Sequence, residues 1–414
     1  MPYNIAVGRQ RRRVSRQPIT LSQAFWFDLN RSRFAQPRSS MMAPHHRMLR
    51  RSGAILFLCL LLFAGAVFSE EETPRFSQAD PHRVLQFPRD HGKHSDFQTE
   101  WWYFTGNLTS PDKDFGFQLT FFRRSLLPEP PKLDSDWTAR DLYPAHFALT
   151  DKTDKRFYHF DIIAREGPNL AGAAADDLDV HVRNWRVKRD QERLMLEAQQ
   201  DGAAINLTLI PLKPIVLHGK NGYSSKGDDD RQASHYYSFT RLAAQGTVRL
   251  LGKEYAVEGL AWMDHEFGSS ILSKDQAGWD WFSLQLDDGA DLMVFHLRKK
   301  DGAFETPFGT LVAPDGVATY LRGDDIAILP QGQWRSPATN ALYPAGWQIS
   351  VKKTDTVLEV APAVPDQELS AGRSTQVIYW EGAVNVRGRH QGRPVAGAGY
   401  AELTGYAHSM GGRL

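Results

Sequence analysis

Three segments of this 414-residue chain set carboxylic acids beside indoles: Thr99-Glu100-Trp101-Trp102-Tyr103-Phe104, Trp262-Met263-Asp264-His265-Glu266-Phe267-Gly268 and Trp279-Asp280-Trp281-Phe282. On a strand, neighbouring side chains point to opposite faces, so Glu100 shares a face with Trp102, and Trp262, Asp264 and Glu266 share another. A carboxyl group on a dry, indole-walled face is poorly solvated as an anion. Its pKa rises, it keeps its proton near neutral pH, and it becomes a proton donor. The competing reading of Glu100 or Asp264 is a structural acid that pairs with an arginine or caps a loop. Each tryptophan either packs a core or forms a binding surface. His146, in Ala145-His146-Phe147, and His235, in Ser234-His235-Tyr236-Tyr237, either orient a carboxylate or sit satisfied in a core.

Other chemistries find less support. Asp264-His265-Glu266 lines up three metal-ligand types, but a strand sends His265 away from the other two, so no metal is expected. Ala407-His408-Ser409-Met410-Gly411 is a variant nucleophile elbow, yet too little chain follows it to supply the acid and histidine of a serine hydrolase. Gly397-Ala398-Gly399-Tyr400-Ala401-Glu402 lacks the third glycine and the βαβ setting of a dinucleotide site, and no cofactor is expected. Tyr400 and Glu402 share one strand face.

The elements that must position these residues are strands. Phe115 to Phe121 alternates apolar with small or polar side chains, and similar runs cover Ala145–Thr150, Arg156–Ile163, Val180–Val187, Leu194–Ala198, Ile205–Ile210, Tyr236–Leu242, Trp281–Leu286 and Leu292–Leu297. Turn signals such as Asp201-Gly202 and Asp287-Asp288-Gly289 separate them at hairpin intervals. No amphipathic helix of three clear turns interrupts the meander, which excludes Rossmann and TIM architectures. An all-β fold of two antiparallel barrels is predicted, each large enough for about eight strands. Asp228-Asp229-Asp230 reads as a solvated loop tip.

Met48-Leu49-Arg50-Arg51 precedes an apolar run from Gly53 to Phe68, with small residues Val67 and Ser69 ahead of Glu70. This is the layout of a secretory leader, with an uncleaved inner-membrane anchor at residues 53–68 as the alternative. The predicted division is therefore a leader and N-terminal extension at 1–69, a first domain at 75–268 and a second at 269–414. The exported chain is expected in the periplasm or outside the cell. Cys59, the sole cysteine, falls in the apolar run behind bulky Leu58, which disfavours lipid attachment. It leaves the exported part without disulfide or thiolate chemistry. Setting aside the 11 arginines and Asp28 of residues 1–69 turns 49 basic and 48 acidic residues into 38 and 47, a net charge of −9. That balance argues against nucleic acid as a partner.

Thr99-Glu100-Trp101-Trp102-Tyr103 with Gly106-Asn107-Leu108, Ser234-His235-Tyr236-Tyr237-Ser238, Trp262 to Gly268, and Gly399-Tyr400-Ala401-Glu402-Leu403-Thr404-Gly405-Tyr406 occur in that order. Together they resemble the AttH and carotenoid 1,2-hydratase (CrtC-like) family, from about residue 80 onward. The resemblance implies two lipocalin-like barrels packed side by side with a pocket between or within them, and an apolar isoprenoid, polyene or lipid as the small-molecule ligand. In the hydratase branch an aspartic acid matching Asp264 protonates an isoprenoid double bond, with Glu100 or His146 as the base that guides water. Trp101, Trp102, Tyr237, Trp262, His265, Trp279, Trp281 and Tyr400 are the implied substrate-binding residues. Glu266-Phe267 within the motif and the expected leader place the chain nearer the secreted AttH-like branch. There the alternatives are a non-catalytic periplasmic carrier working with an ABC exporter, or a secreted hydrolase.

Overall fold

The computed structural model describes residues 75–130, 138–167, 169–227, 232–270 and 272–410. The leader expected at 1–69, the alternative anchor at 53–68, Cys59 and the Asp228-Asp229-Asp230 tip lie outside the described residues. Residues 72–414 belong to one compact unit.

Nine strands carry the argument: β1 (Thr99–Thr109), β2 (Asp114–Ser125), β3 (Asp141–Asp151), β4 (Ala233–Leu250), β5 (Lys253–Ser270), β6 (Gln276–Leu286), β7 (Asp291–Lys299), β8 (Ile378–His390) and β9 (Arg393–Thr404). The first sheet has 13 strands. Arg156–Arg165, β3, β2, β1, β5 and β4 lie side by side, and the sheet continues through Ala203–Pro211 to Ala171–Ala173. The second sheet has ten, with Ala318–Arg322 and Phe308–Val312 leading to β7, β6, β9 and β8 and on to Ile326–Gln331. All pairings are antiparallel, and each sheet curls into a nearly closed barrel, so the chain is all-β with two lipocalin-like barrels.

Alternation builds both barrels, because one face of each strand fills an interior and the other meets solvent or the neighbouring barrel. Trp102, Phe104, Phe117, Phe147, Trp185 and Met263 fill the first interior, and Phe282, Trp347, Trp380 and Leu403 fill the second. Outward-facing Tyr103, Tyr236, Trp262, Trp281 and Tyr400 form a third apolar cluster in the seam between the barrels. Gly116 on β2 permits that approach: a Cβ there would lie 2.7 Å from Ala383 Cβ and 2.8 Å from Tyr400 Oη. The expected single run Val180–Val187 is two strands, Asp179–Val182 and Trp185–Asp190, parted by a turn in which Arg183 has φ 56°. Tyr236–Leu242 is part of a much longer strand that, with its 18-residue partner β5, spans the whole barrel.

Candidate active site

Where β1, β2, β4 and β5 of the first barrel face β6, β7 and β9 of the second, the seam opens into a cavity of about 330 Å³. That is the low end of the range for small-molecule sites. Trp101, Phe122, Trp279, Trp281, Phe295 and Met410 give it an apolar wall. Into this wall the strands project three acids, Asp264 and Glu266 from β5 and Glu402 from β9. The register explains the convergence: Tyr103 pairs with Asp264 and Trp101 with Glu266 in one sheet, and Trp281 pairs with Glu402 in the other.

Asp264 is 4% exposed. Tyr236 Oη donates to its Oδ2 at 2.7 Å and Trp262 Nε1 to its Oδ1 at 2.6 Å, where Ser238 Oγ also donates. Behind Ser238 stands the buried His218, which shares hydrogen bonds with Ser238 Oγ at 2.6 Å and Thr310 Oγ1 at 2.9 Å. Burial, with the Lys226 charge adding, pushes the His218 pKa down to about 3, so the ring is neutral. Burial dominates at Asp264 as well. It lifts the pKa to about 7 against the three hydrogen bonds, with the Glu266 charge adding to the rise. The second barrel contributes here too, since Trp281 Nε1 donates to Tyr236 Oη at 3.1 Å.

Glu402 touches the cavity space while protein encloses it. Burial raises its pKa to about 7 against a hydrogen bond from Trp279 Nε1 at 3.1 Å, and the Asp264 and Glu266 charges push the same way. Two carboxyl groups with matched values near neutrality can hold one as acid and the other as anion, titrating as a coupled set. Glu266 is committed differently, to Lys226 Nζ at 2.8 Å and to Ser234. Deeper in the seam, Tyr103 Oη donates to Glu381 Oε1 at 2.7 Å. Burial, then the Glu402 charge, holds the Glu381 pKa well above the usual carboxylate range.

A family model of AttH-like proteins matches residues 78–406. The chain belongs to the AttH-like family. A candidate AttH from Nitrosomonas europaea, known from its crystal structure, is similar at 35% identity and TM-score 0.71, over 80% of this chain and all of that one. Kievitone hydratase from Nectria haematococca shares the fold at 15% identity and TM-score 0.61, over 81% of this chain and 97% of its own. No curated protein matches the sequence.

Within this AttH-like seam the structure brings together Asp264, Trp101, Trp279 and Trp281, with Trp262 bonded to Asp264 from behind. Tyr400 packs in the seam beside Gly116 rather than on the cavity wall. His146 does line the cavity, but on β3, three strands from Asp264 along the row Asp264, Tyr103, Thr120, His146. That places it roughly 14 Å away across the sheet, too far to act on water at the carbon beside one protonated by Asp264. Its ring nitrogens engage Tyr379 Oη at 2.8 Å and Ser374 Oγ at 3.0 Å, and burial lowers its pKa to about 4.

Glu100, Trp102, Tyr237 and His265 are corrected outright: all four point into the first barrel, away from the cavity. Glu100 accepts from Arg123 Nε at 2.8 Å and shares hydrogen bonds with His94 Nδ1 at 2.7 Å and His265 Nε2 at 2.9 Å. Burial opposes its ionisation, but the Arg123 and His94 charges hold its pKa well below the usual range, so it is a structural anion. Tyr237 Oη shares hydrogen bonds with His91 and His265, and Trp102 stacks on His265. His94, Glu100 and His265 place ligand-type atoms within 4.8 Å of one another, but the Arg123 guanidinium already supplies the charge a metal ion would bring. His235 donates nothing to the cavity; its Nε2 accepts from the Asp80 backbone N–H at 3.3 Å. Sequence reasoning missed Tyr236, Ser238, His218 and Glu402 as site residues. For Glu402 a signal existed, two positions along the same face from Tyr400.

Proposed function

We propose that this protein adds water across a carbon–carbon double bond of an apolar small molecule, an isoprenoid or polyene, with Asp264 as the acid. The observation that carries the reading is the placement of Asp264, a buried carboxyl group whose pKa burial lifts to about 7, on the wall of an indole-lined cavity. Asp264 transfers its proton to one alkene carbon, whose π electrons form the new C–H bond, and leaves a tertiary cation on the neighbouring carbon. The faces of Trp101, Trp279 and Trp281 offer that cation attraction of about 2 kcal/mol or more once water is excluded. A water oxygen then bonds to the cation, and Glu402 in its anionic form takes the released proton. The cavity accommodates a small alkene or one end of a longer one, so a complete carotenoid is not required. A leader at residues 1–69 would place the reaction outside the cytoplasm.

The full-length chain incubated with isoprenoid and squalene-type alkenes in ¹⁸O-labelled water should give labelled alcohols by mass spectrometry. Asp264→Asn should lower turnover by about 10²- to 10⁴-fold while ligand binding persists. Wild type that leaves every alkene unchanged would refute hydration. Bound lipid in native mass spectra of that same protein would then favour carriage to an exporter.

A further inference from the structure

Two cations besides the acids stand on the cavity wall, and their surroundings treat them differently. Lys226 is matched by Glu266 at 2.8 Å. Arg124, near the end of β2, donates from Nη1 to Thr99 Oγ1 at 2.7 Å, and among the described residues no carboxylate pairs with it. Its neighbour Arg123 points the opposite way, into the barrel and onto Glu100. Burial works against the Arg124 charge, and among the described residues no anion offsets it. A guanidinium presents five donors in a planar fork that matches the oxygens of a carboxylate or a phosphate, and a protein hydroxyl occupies only part of this one.

The position of Arg124 relative to the acid is set by register. Arg124 pairs with Thr99 on one side of β1, and Asp264 pairs with Tyr103 on the other. Two strand spacings across and four residues along put their Cα atoms roughly 16 Å apart. Trp101 and Phe122 line the wall between them. The cavity thus has a cationic end, an apolar middle and a proton-donating end.

We infer that the ligand is an amphiphile: an anionic head, carboxylate or phosphate, bound by Arg124, and an unsaturated apolar tail laid along the wall toward Asp264. This rests on the reading of Asp264 as the acid and narrows its substrate class, because a pure hydrocarbon leaves Arg124 unmatched. A charge-assisted fork on a partly dry wall discriminates strongly between an anionic head and a neutral one of the same length.

The test measures binding of farnesoic acid, farnesyl phosphate and farnesol to the full-length chain by quenching of tryptophan emission, with acetate and inorganic phosphate as headgroups lacking a tail. The two anionic amphiphiles should bind about tenfold or more tighter than farnesol, and neither acetate nor inorganic phosphate should displace them at millimolar concentration. Arg124→Gln should abolish the preference while leaving farnesol within about twofold, and Arg124→Lys should keep part of it. An unchanged circular dichroism spectrum and Tm for both variants will show that the fold is intact. Equal affinities for farnesoic acid and farnesol, no binding of either anionic probe, or an equal loss for all three probes in Arg124→Gln would each overturn the inference. Asp264→Asn should retain the headgroup preference. A preference without any hydration therefore sinks the acid reading alone, and hydration without a preference sinks this one alone.

Discussion

Replacing Asp264 by Asn should stabilise the protein relative to wild type increasingly as pH rises, by an amount set by where the carboxyl group sits. Burial lifts its pKa from 3.8 to about 7. A group whose folded pKa is raised contributes stability that is complete below the unfolded value and lost as pH climbs through the folded one. At about 1.36 kcal/mol per pH unit, the loss between pH 4 and pH 8 comes to about 4 kcal/mol. Asn does not ionise and escapes this loss. Whatever fixed difference the amide makes to packing and to the bonds from Tyr236, Ser238 and Trp262 does not vary with pH. The stability of variant minus wild type should therefore climb by about 4 kcal/mol over the range. Glu402 is present in both proteins, and its coupling to Asp264 broadens the climb without removing it. Urea unfolding followed by tryptophan emission, at each pH unit from about 4 to 8, reads the difference directly. A difference flat to within about 1 kcal/mol would refute the claim that this carboxyl group is held protonated by the fold.

The remaining predictions concern other parts of the same arrangement. Glu100→Gln leaves Arg123 buried with only Asp141 at 3.3 Å, so unfolding free energy at pH 7 should fall by about 3 kcal/mol. Because the folded pKa of Glu100 is depressed, its contribution is present above the unfolded value and lost as pH falls, and the deficit should shrink in acid. Gly116→Val should cost about 2 kcal/mol by overpacking against Ala383 and Tyr400, whereas Gly372→Ala, with nothing within 4 Å of the new Cβ, should leave Tm unchanged. Glu402→Gln should lower hydration by about 10²-fold or more and remove the acid limb of the pH–rate profile, since the base whose ionisation sets that limb is gone, while the limb set by Asp264 stays.

Much of the fold was legible because alternation is a local property. Phe115 to Phe121 announces its strand, and Asp201-Gly202 its turn, without reference to any distant residue. Val180 to Val187 was misread as one strand because its turn uses Arg183 at positive φ and carries no glycine or proline to mark it. The site divides the same way. Alternation says that Glu100 and Trp102 share a face, and that Asp264 shares one with Trp262 and Glu266, but not which face looks inward. The pairing of Glu100 with Phe267, and of Tyr103 with Asp264, decides that, and register between β1 and β5 is a long-range fact. His218 and Tyr236 escaped notice for a related reason: their roles exist only once β4 lies against β5 and the second barrel closes over both.

The placement of Asp264 on the outside of its own barrel gives the second barrel a chemical role. On a solitary first barrel this side chain would face water, and the burial that lifts its pKa would be gone. Trp281 and Phe295 line the cavity beside it, and Trp281 Nε1 donates to the Tyr236 Oη that bonds Asp264 Oδ2. Apolar contacts alone tolerate sliding between two surfaces, so orientation needs directional bonds. Those run between the two barrels: Lys213 and Arg241 both reach Asp291 at 2.7 Å, Asn107 Nδ2 donates to the Gly399 carbonyl at 3.1 Å, and Tyr103 donates to Glu381. Each joins a residue of the first barrel to one of the second. The two interiors are filled by tryptophan and phenylalanine or by the Glu100–Arg123 network, whereas the indole-lined cavity that holds Asp264 lies in the seam, which both barrels must build together.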